Sequence, residues 1–117
     1  NQFVKGDGSL TVGYKVYTAS LNQTGTNAPI ATIFENTLSA NIVWTFNVTG
    51  EFFGTLSGAF VLNKTFTIIE NNINSTTQDF SASIGRLNAN VVVVGSKTNG
   101  TASNGTLLAS VEIRVYN

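Results

Sequence analysis

The feature that most constrains this chain is a two-residue alternation of side chains that returns roughly every twelve residues, the spacing of an all-β domain. Ile42, Trp44 and Phe46 alternate with Val43 and Thr45. Phe80, Ala82 and Ile84 alternate with Ser81, Ser83 and Gly85. Val111, Ile113 and Val115 alternate with Glu112, Arg114 and Tyr116. Successive side chains of a strand point to opposite faces, so each run gives a strand with one apolar face. Less regular runs at Tyr14 to Leu21, Ile30 to Glu35, Glu51 to Leu56, Lys64 to Glu70 and Asn90 to Val94 bring the candidates to eight. Residues that favour helices are sparse, and β-branched residues interrupt every window in which a helix would have to form.

Turn chemistry separates the strands. Asn22 to Asn27, Asn36 to Ser39, Asn47 to Gly50, Ser57-Gly58 and Asn71 to Gln78 are rich in Asn, Gly, Ser and Thr, residues that stabilise turns. Tight hairpins are expected at Asn47 to Gly50 and around Asn88-Ala89. Pro29 stands at the start of a strand, where its missing N–H is harmless. The fold class is therefore all-β, a single-domain sandwich of about eight antiparallel strands, of jelly-roll type. Residues 1–13, with Lys5-Gly6-Asp7-Gly8-Ser9, read as a linker-like N-terminal segment, and residues 14–117 as the β-sandwich domain. Residues 95–106 read as a mobile surface loop. The expected core is Ile42, Trp44, Phe46, Phe80, Ile84, Val111, Ile113 and Val115.

Composition narrows the function. The chain has 117 residues, formal net charge zero, no His and no Cys. Without imidazole or thiolate there is no Ser-His-Asp triad, no Cys nucleophile and no imidazole or thiolate zinc site. Balanced charge argues against nucleic acid, which calls for a basic footprint. Val91 to Val94, extended by Gly95, falls far short of the roughly 20 apolar residues that span a membrane. Charged residues make up 10% of the chain, well below the usual quarter. Asn, Thr and Ser, numbering 15, 16 and 10, take their place, as in secreted or particle-bound β proteins.

Few motifs carry chemistry. The acids are Asp7, Glu35, Glu51, Glu70, Asp79 and Glu112. They read as surface charges unless folding brings two within about 5–10 Å in a cleft, the separation a glycosidase uses. Asp7 and Asp79 lack the spacing of a calcium loop, and Gly6, Gly8 and Gly13 lack that of a phosphate loop. No metal or cofactor is expected. Asn-x-Ser/Thr triplets at Asn22, Asn47, Asn63, Asn74, Asn99 and Asn104 are read as products of a composition rich in Asn and Thr. Trp44 is in phase with the core. The exposed aromatics expected to serve an interface or ligand are Phe53, out of phase with Phe52, and Tyr116, out of phase with Val115. The odd spacing of Tyr14 and Tyr17 turns them to opposite faces.

Several stretches carry a resemblance: Gly13 to Leu21, Gly25 to Pro29, Glu35 to Leu38, Ile42 to Thr45, Gly54-Thr55-Leu56 with Gly58-Ala59-Phe60, Asn63-Lys64-Thr65, and Ser110 to Tyr116. From about residue 10 onward the chain resembles a family of small uncharacterised β-rich proteins from marine metagenomes and flavobacteria-like phages. The resemblance implies a virion or extracellular setting, in a decoration or fibre-tip module, and transfers no active site. The expectation is thus a non-enzymatic structural or binding module that self-assembles through its sandwich faces, as a homotrimer, with glycan as a ligand class. The alternative is a monomeric carbohydrate-binding module of a secreted protein. A remote third is a carboxylate-dependent hydrolase resting on Glu51 and Glu70.

Overall fold

A computed structural model describes residues 2–4, 10–73 and 75–117. Eleven strands are described: β1 (Gln2–Val4), β2 (Leu10–Val12), β3 (Tyr14–Gln23), β4 (Ile30–Asn36), β5 (Val43–Val48), β6 (Glu51–Thr55), β7 (Thr65–Asn71), β8 (Phe80–Asn88), β9 (Val91–Thr98), β10 (Thr101–Ala102) and β11 (Leu107–Tyr116). All eight expected strands are among them. Residues 1–13, read as linker-like, contain the antiparallel pair β1–β2, which belongs to neither larger sheet. Lys5 to Ser9, and Asn74 of its triplet, lie outside the described residues.

Two antiparallel sheets make the sandwich. One has the order β4-β3-β11-β7. The other runs β5-β6-β9-β8, with β10 on the β6 side of β9. The hairpins β3–β4, β5–β6 and β8–β9 each stay within one sheet, and the chain crosses between sheets after β4, β6, β7 and β10. The all-β sandwich is as expected; this strand order does not confirm the jelly-roll winding.

Register follows the alternation. The inner row of β11 is Leu107, Ala109, Val111, Ile113 and Val115, all buried, while Glu112 and Arg114 face out. The inner row of β3 pairs with it: Tyr17 opposite Ile113, Ala19 opposite Val111, Leu21 opposite Ala109. The facing sheet contributes Trp44, Phe52, Val92 and Val94. Each large apolar side chain buried in this layer stabilises the fold by about 1.5–3 kcal/mol. Three of the expected core residues, Phe46, Phe80 and Ile84, are only half-buried. Phe80 and Ile84 stand on β8 and Phe46 on β5, the two edges of the five-stranded sheet, where one neighbouring strand is missing.

One tryptophan ties the layers together. Trp44 lies across Gly54, its partner on β6. A Cβ on Gly54 would stand 2.8 Å from the indole Cη2 and Cζ3. The indole Nε1–H then reaches the opposite sheet and donates to Tyr17 Oη at 3.1 Å, in a buried bond. The two rings are tilted, with centroids 6.5 Å apart.

The far end of the core is closed by Gln23, 1% exposed. Its Nε2–H2 donates to the carbonyls of Gly25 at 2.8 Å and Asn27 at 3.0 Å, and its Oε1 accepts from the N–H of Gly105 at 2.8 Å. Residues 95–106 are therefore no mobile loop. Gly95 to Thr98 continue β9, and Asn99-Gly100, with φ of 51° and 82°, turns the chain into β10. Two consecutive positive φ angles are the mark of a type I′ hairpin turn, for which Asn-Gly is the favoured pair. Ser103 then bonds back to Ser96 through backbone and hydroxyl.

Two predictions follow from the Trp44 contact. Gly54→Ala should lower stability by about 1–3 kcal/mol in urea unfolding, because the added methyl overpacks a filled site. Tyr17→Phe leaves the indole N–H unpaired and should cost about 1–3 kcal/mol at neutral pH. Burial raises the Tyr17 pKa above its ordinary 10.0, partly offset by the Trp44 bond. Above pH 10 the unfolded tyrosine loses its proton first, so stability falls as pH rises through the alkaline range. Tyr17→Phe should flatten that fall, which unfolding curves from pH 8 upward would read.

Candidate functional site

With the inner rows fixed, the outer faces are fixed too, and they separate the two expected aromatics. Phe52 is buried, so Phe53 faces out from β6 on the five-stranded sheet. Val115 is buried, so Tyr116 faces out from β11 on the four-stranded sheet. Phe53 and Tyr116 lie on opposite sides of the molecule and do not share a site.

The row of Phe53 and the row beyond it, away from Glu51, are uncharged. Thr45, Phe53, Val93 and Gly85 stand side by side across four strands, and Val43, Thr55 and Val91 form the next row. Phe53 and Val93 are half-buried, and Val43 is 62% exposed. A Cβ on Gly85 would meet nothing within 4 Å, so the row ends in a shallow hollow beside Val93. Within the strands the charges on this face are Glu51 and Lys97, one of each sign, beyond the apolar rows, and Asp79 precedes β8 in the same phase.

The other face has an aromatic patch at one end and acids along it. Tyr14 and Tyr116 are cross-strand partners with ring centroids 5.2 Å apart. The Arg114 guanidinium lies 4.8 Å from the Tyr14 ring centroid, a cation–π contact. It pairs with Glu112 through Nε, and Nη1 donates to Tyr116 Oη at 3.4 Å. These bonds, that to Tyr116 first, raise the guanidinium pKa above its ordinary value, so Arg114 is always charged. Phe66, opposite Arg114 on β7, is half exposed. Glu35 lies opposite Thr18, and Glu70 opposite Ser110.

Glu51 and Glu70, the pair singled out for a hydrolase, are not brought together. Glu51 stands on the outer face of the five-stranded sheet, accepting a bond from Asn47 Nδ2 at 3.0 Å. Glu70 stands on the outer face of the four-stranded one. The whole sandwich separates them.

The arrangement can bind through its faces: an uncharged row about Phe53 on one side, and aromatic rings about a fixed cation on the other. Sequence reasoning found Phe53 and Tyr116 through phase. It missed Arg114, although Tyr116 two residues on was the signal, since i and i+2 share a face. It also missed Gly85, whose part depends on the strand beside it. No family model, no curated protein and no solved structure matches the chain.

Gly85 has no positive φ that favours glycine and no atom to clash with. Gly85→Ala should therefore raise stability by about 0.4–1 kcal/mol by restricting the unfolded chain, read as a shifted urea midpoint at unchanged slope.

Proposed function

We propose that this chain is a non-enzymatic structural or binding module that assembles with copies of itself through the outer face of its five-stranded sheet. The observation that carries the reading is the uncharged double row centred on Phe53 and Val93. Sheets pack face to face at about 10 Å when their side chains interdigitate. Two apolar anchors and an open hollow at Gly85 offer a copy both knob and recess. The strands carry one Glu and one Lys on this face, Glu51 and Lys97, so charge of one sign does not dominate them. A homotrimer is the proposed assembly. A virion or extracellular setting rests on the sequence resemblance alone.

Light scattering after size exclusion tests this. The expected mass is a multiple of 12.4 kDa, three-fold for the trimer. Phe53→Thr combined with Val93→Thr should return it to 12.4 kDa with an unchanged circular dichroism spectrum. Tyr116→Thr, on the opposite face, should leave the assembly intact. A wild-type monomer at the highest soluble concentration overturns the proposal.

A second reading, a monomeric carbohydrate-binding module, is favoured by the Tyr14–Arg114–Tyr116 patch with Phe66 beside it. Under that reading a glycan array gives a signal that Tyr116→Ala abolishes and the Phe53 and Val93 variant keeps.

A further inference from the structure

The tripeptide Asn-Gly-Thr occurs twice, at Asn99 and at Asn104. An asparagine followed by glycine can react with its own backbone. Glycine has no side chain to hinder the approach of its nitrogen to the asparagine Cγ, and a five-membered imide closes. The shared tripeptide gives the two sites the same intrinsic reactivity. The fold treats them differently.

At Asn104 both reacting groups are held. Its Oδ1 accepts the N–H of Gly50 at 2.9 Å. The N–H of Gly105, whose nitrogen would attack, donates to Gln23 Oε1 at 2.8 Å. Gln23 is itself buried and fixed by the carbonyls of Gly25 and Asn27. Freeing the Gly105 nitrogen would leave a buried acceptor unsatisfied and lift the closure off the core.

At Asn99 the electrophile is held and the nucleophile is not. Asn99 and Gly100 form the exposed tip of the β9–β10 hairpin. Asn99 is anchored twice to Asp79: its N–H donates to the Asp79 carbonyl at 2.7 Å, and its Oδ1 accepts the Asp79 N–H at 2.7 Å. The Gly100 N–H has no acceptor among the described residues, and a Cβ on Gly100 would meet nothing within 4 Å. Beyond the tip, β10 has two residues, Thr101 and Ala102, both exposed. Rotation about the Asn99 Cα–C bond swings the Gly100 nitrogen round to Cγ and detaches this short pairing, which opens at little cost. Asn99 stays on Asp79 meanwhile. The N–H that grips Oδ1 is therefore in place for the negative charge that forms there.

We infer that Asn99 is a site of spontaneous deamidation and that the fold protects Asn104. Hydroxide takes the proton of the Gly100 N–H. The nitrogen bonds to Asn99 Cγ, the Cγ–Nδ2 bond breaks, and Nδ2 leaves as ammonia with a proton from water. A further water opens the imide at one of its two carbonyls, leaving aspartate or β-linked isoaspartate at position 99. Isoaspartate adds a methylene to the main chain. A two-residue turn lengthened in this way no longer sets Thr98 opposite Thr101, so the reaction releases β10 in one direction only.

Incubation of the full chain in mildly alkaline 18O water, followed by digestion in ordinary water, tests this. Doubly labelled or singly labelled carboxylate then marks only sites that reacted before digestion. Asn99 and Asn104 fall in one tryptic peptide, between Lys97 and Arg114, and fragment ions separate them. In the folded chain, label should enter position 99 at least ten-fold faster than position 104, and in concentrated urea the two rates should be equal. Gln23→Met removes the acceptor of the Gly105 N–H. It should speed labelling at position 104 at least ten-fold and leave position 99 unchanged. Equal rates at the two positions of the folded chain overturn the inference. So does a folded chain labelled at neither position while urea labels both. A preference for position 99 that persists in urea also overturns it, because the cause then lies in the sequence and not in the fold.

Discussion

The indole of Trp44 meets three demands at once, and the sandwich is arranged around meeting them. Its ring needs a flat place on its own sheet, and Gly54 supplies one by having no side chain. Its bulk needs the opposite sheet, and Tyr17 supplies the facing ring. Its N–H needs an acceptor in a dry layer, and Tyr17 Oη supplies that too. An unpaired N–H there would cost about 1–3 kcal/mol, comparable with burying a whole aliphatic side chain. The pairing between the sheets is thus specified by a polar contact within an apolar layer, where aliphatic packing alone tolerates slippage.

Once Trp44 and Tyr17 point inward, every other side chain of the long strands is assigned. A strand slipped by one residue would bury Glu112 and Arg114 and expose Ile113. The same parity sends Phe53 and Tyr116 to opposite faces and gives those faces different character. The five-stranded face keeps its charges beyond its apolar rows. The four-stranded face carries Glu35, Glu70 and Glu112 against Arg114, so a copy docking there meets net negative charge. The proposed association through the first face would leave the second free, because the core lies between them.

Much of this was legible in the sequence. Strand positions and the inward row Val111, Ile113, Val115 follow from alternation, a local property. What failed depends on neighbours. Phe80 and Ile84 have the pattern of core residues, but β8 is an edge strand, and nothing in its own sequence says so. Residues 95–106 look like a loop by composition, and Asn99-Gly100 gives the opposite signal, a tight hairpin turn flanked by Thr98 and Thr101. Turn chemistry outweighs composition there because both turn residues need positive φ, which Asn and Gly adopt at little cost. Gln23 was unreadable because all three of its main partners are backbone groups, one of them 82 residues away.

The inner row of β3 explains why the molecule has one closed end and one open end. The row runs Lys15, Tyr17, Ala19, Leu21, Gln23, apolar in the middle and polar at both limits. A glutamine can be buried if each polar group finds a partner, and the carbonyls of Gly25 and Asn27 and the N–H of Gly105 provide them. Those bonds draw the loops down over the core and close it. A lysine at the other limit cannot be treated so. Burying its ammonium without a carboxylate would cost several kcal/mol, and among the described residues no Asp or Glu side chain lines the cleft beside it. The crossovers at that end, from β4 to β5 and from β6 to β7, therefore stand off, Lys15 remains in water, and the space between becomes the cleft. A polar residue on the core side of a strand thus has two outcomes, decided by whether its charge can be answered from within the fold.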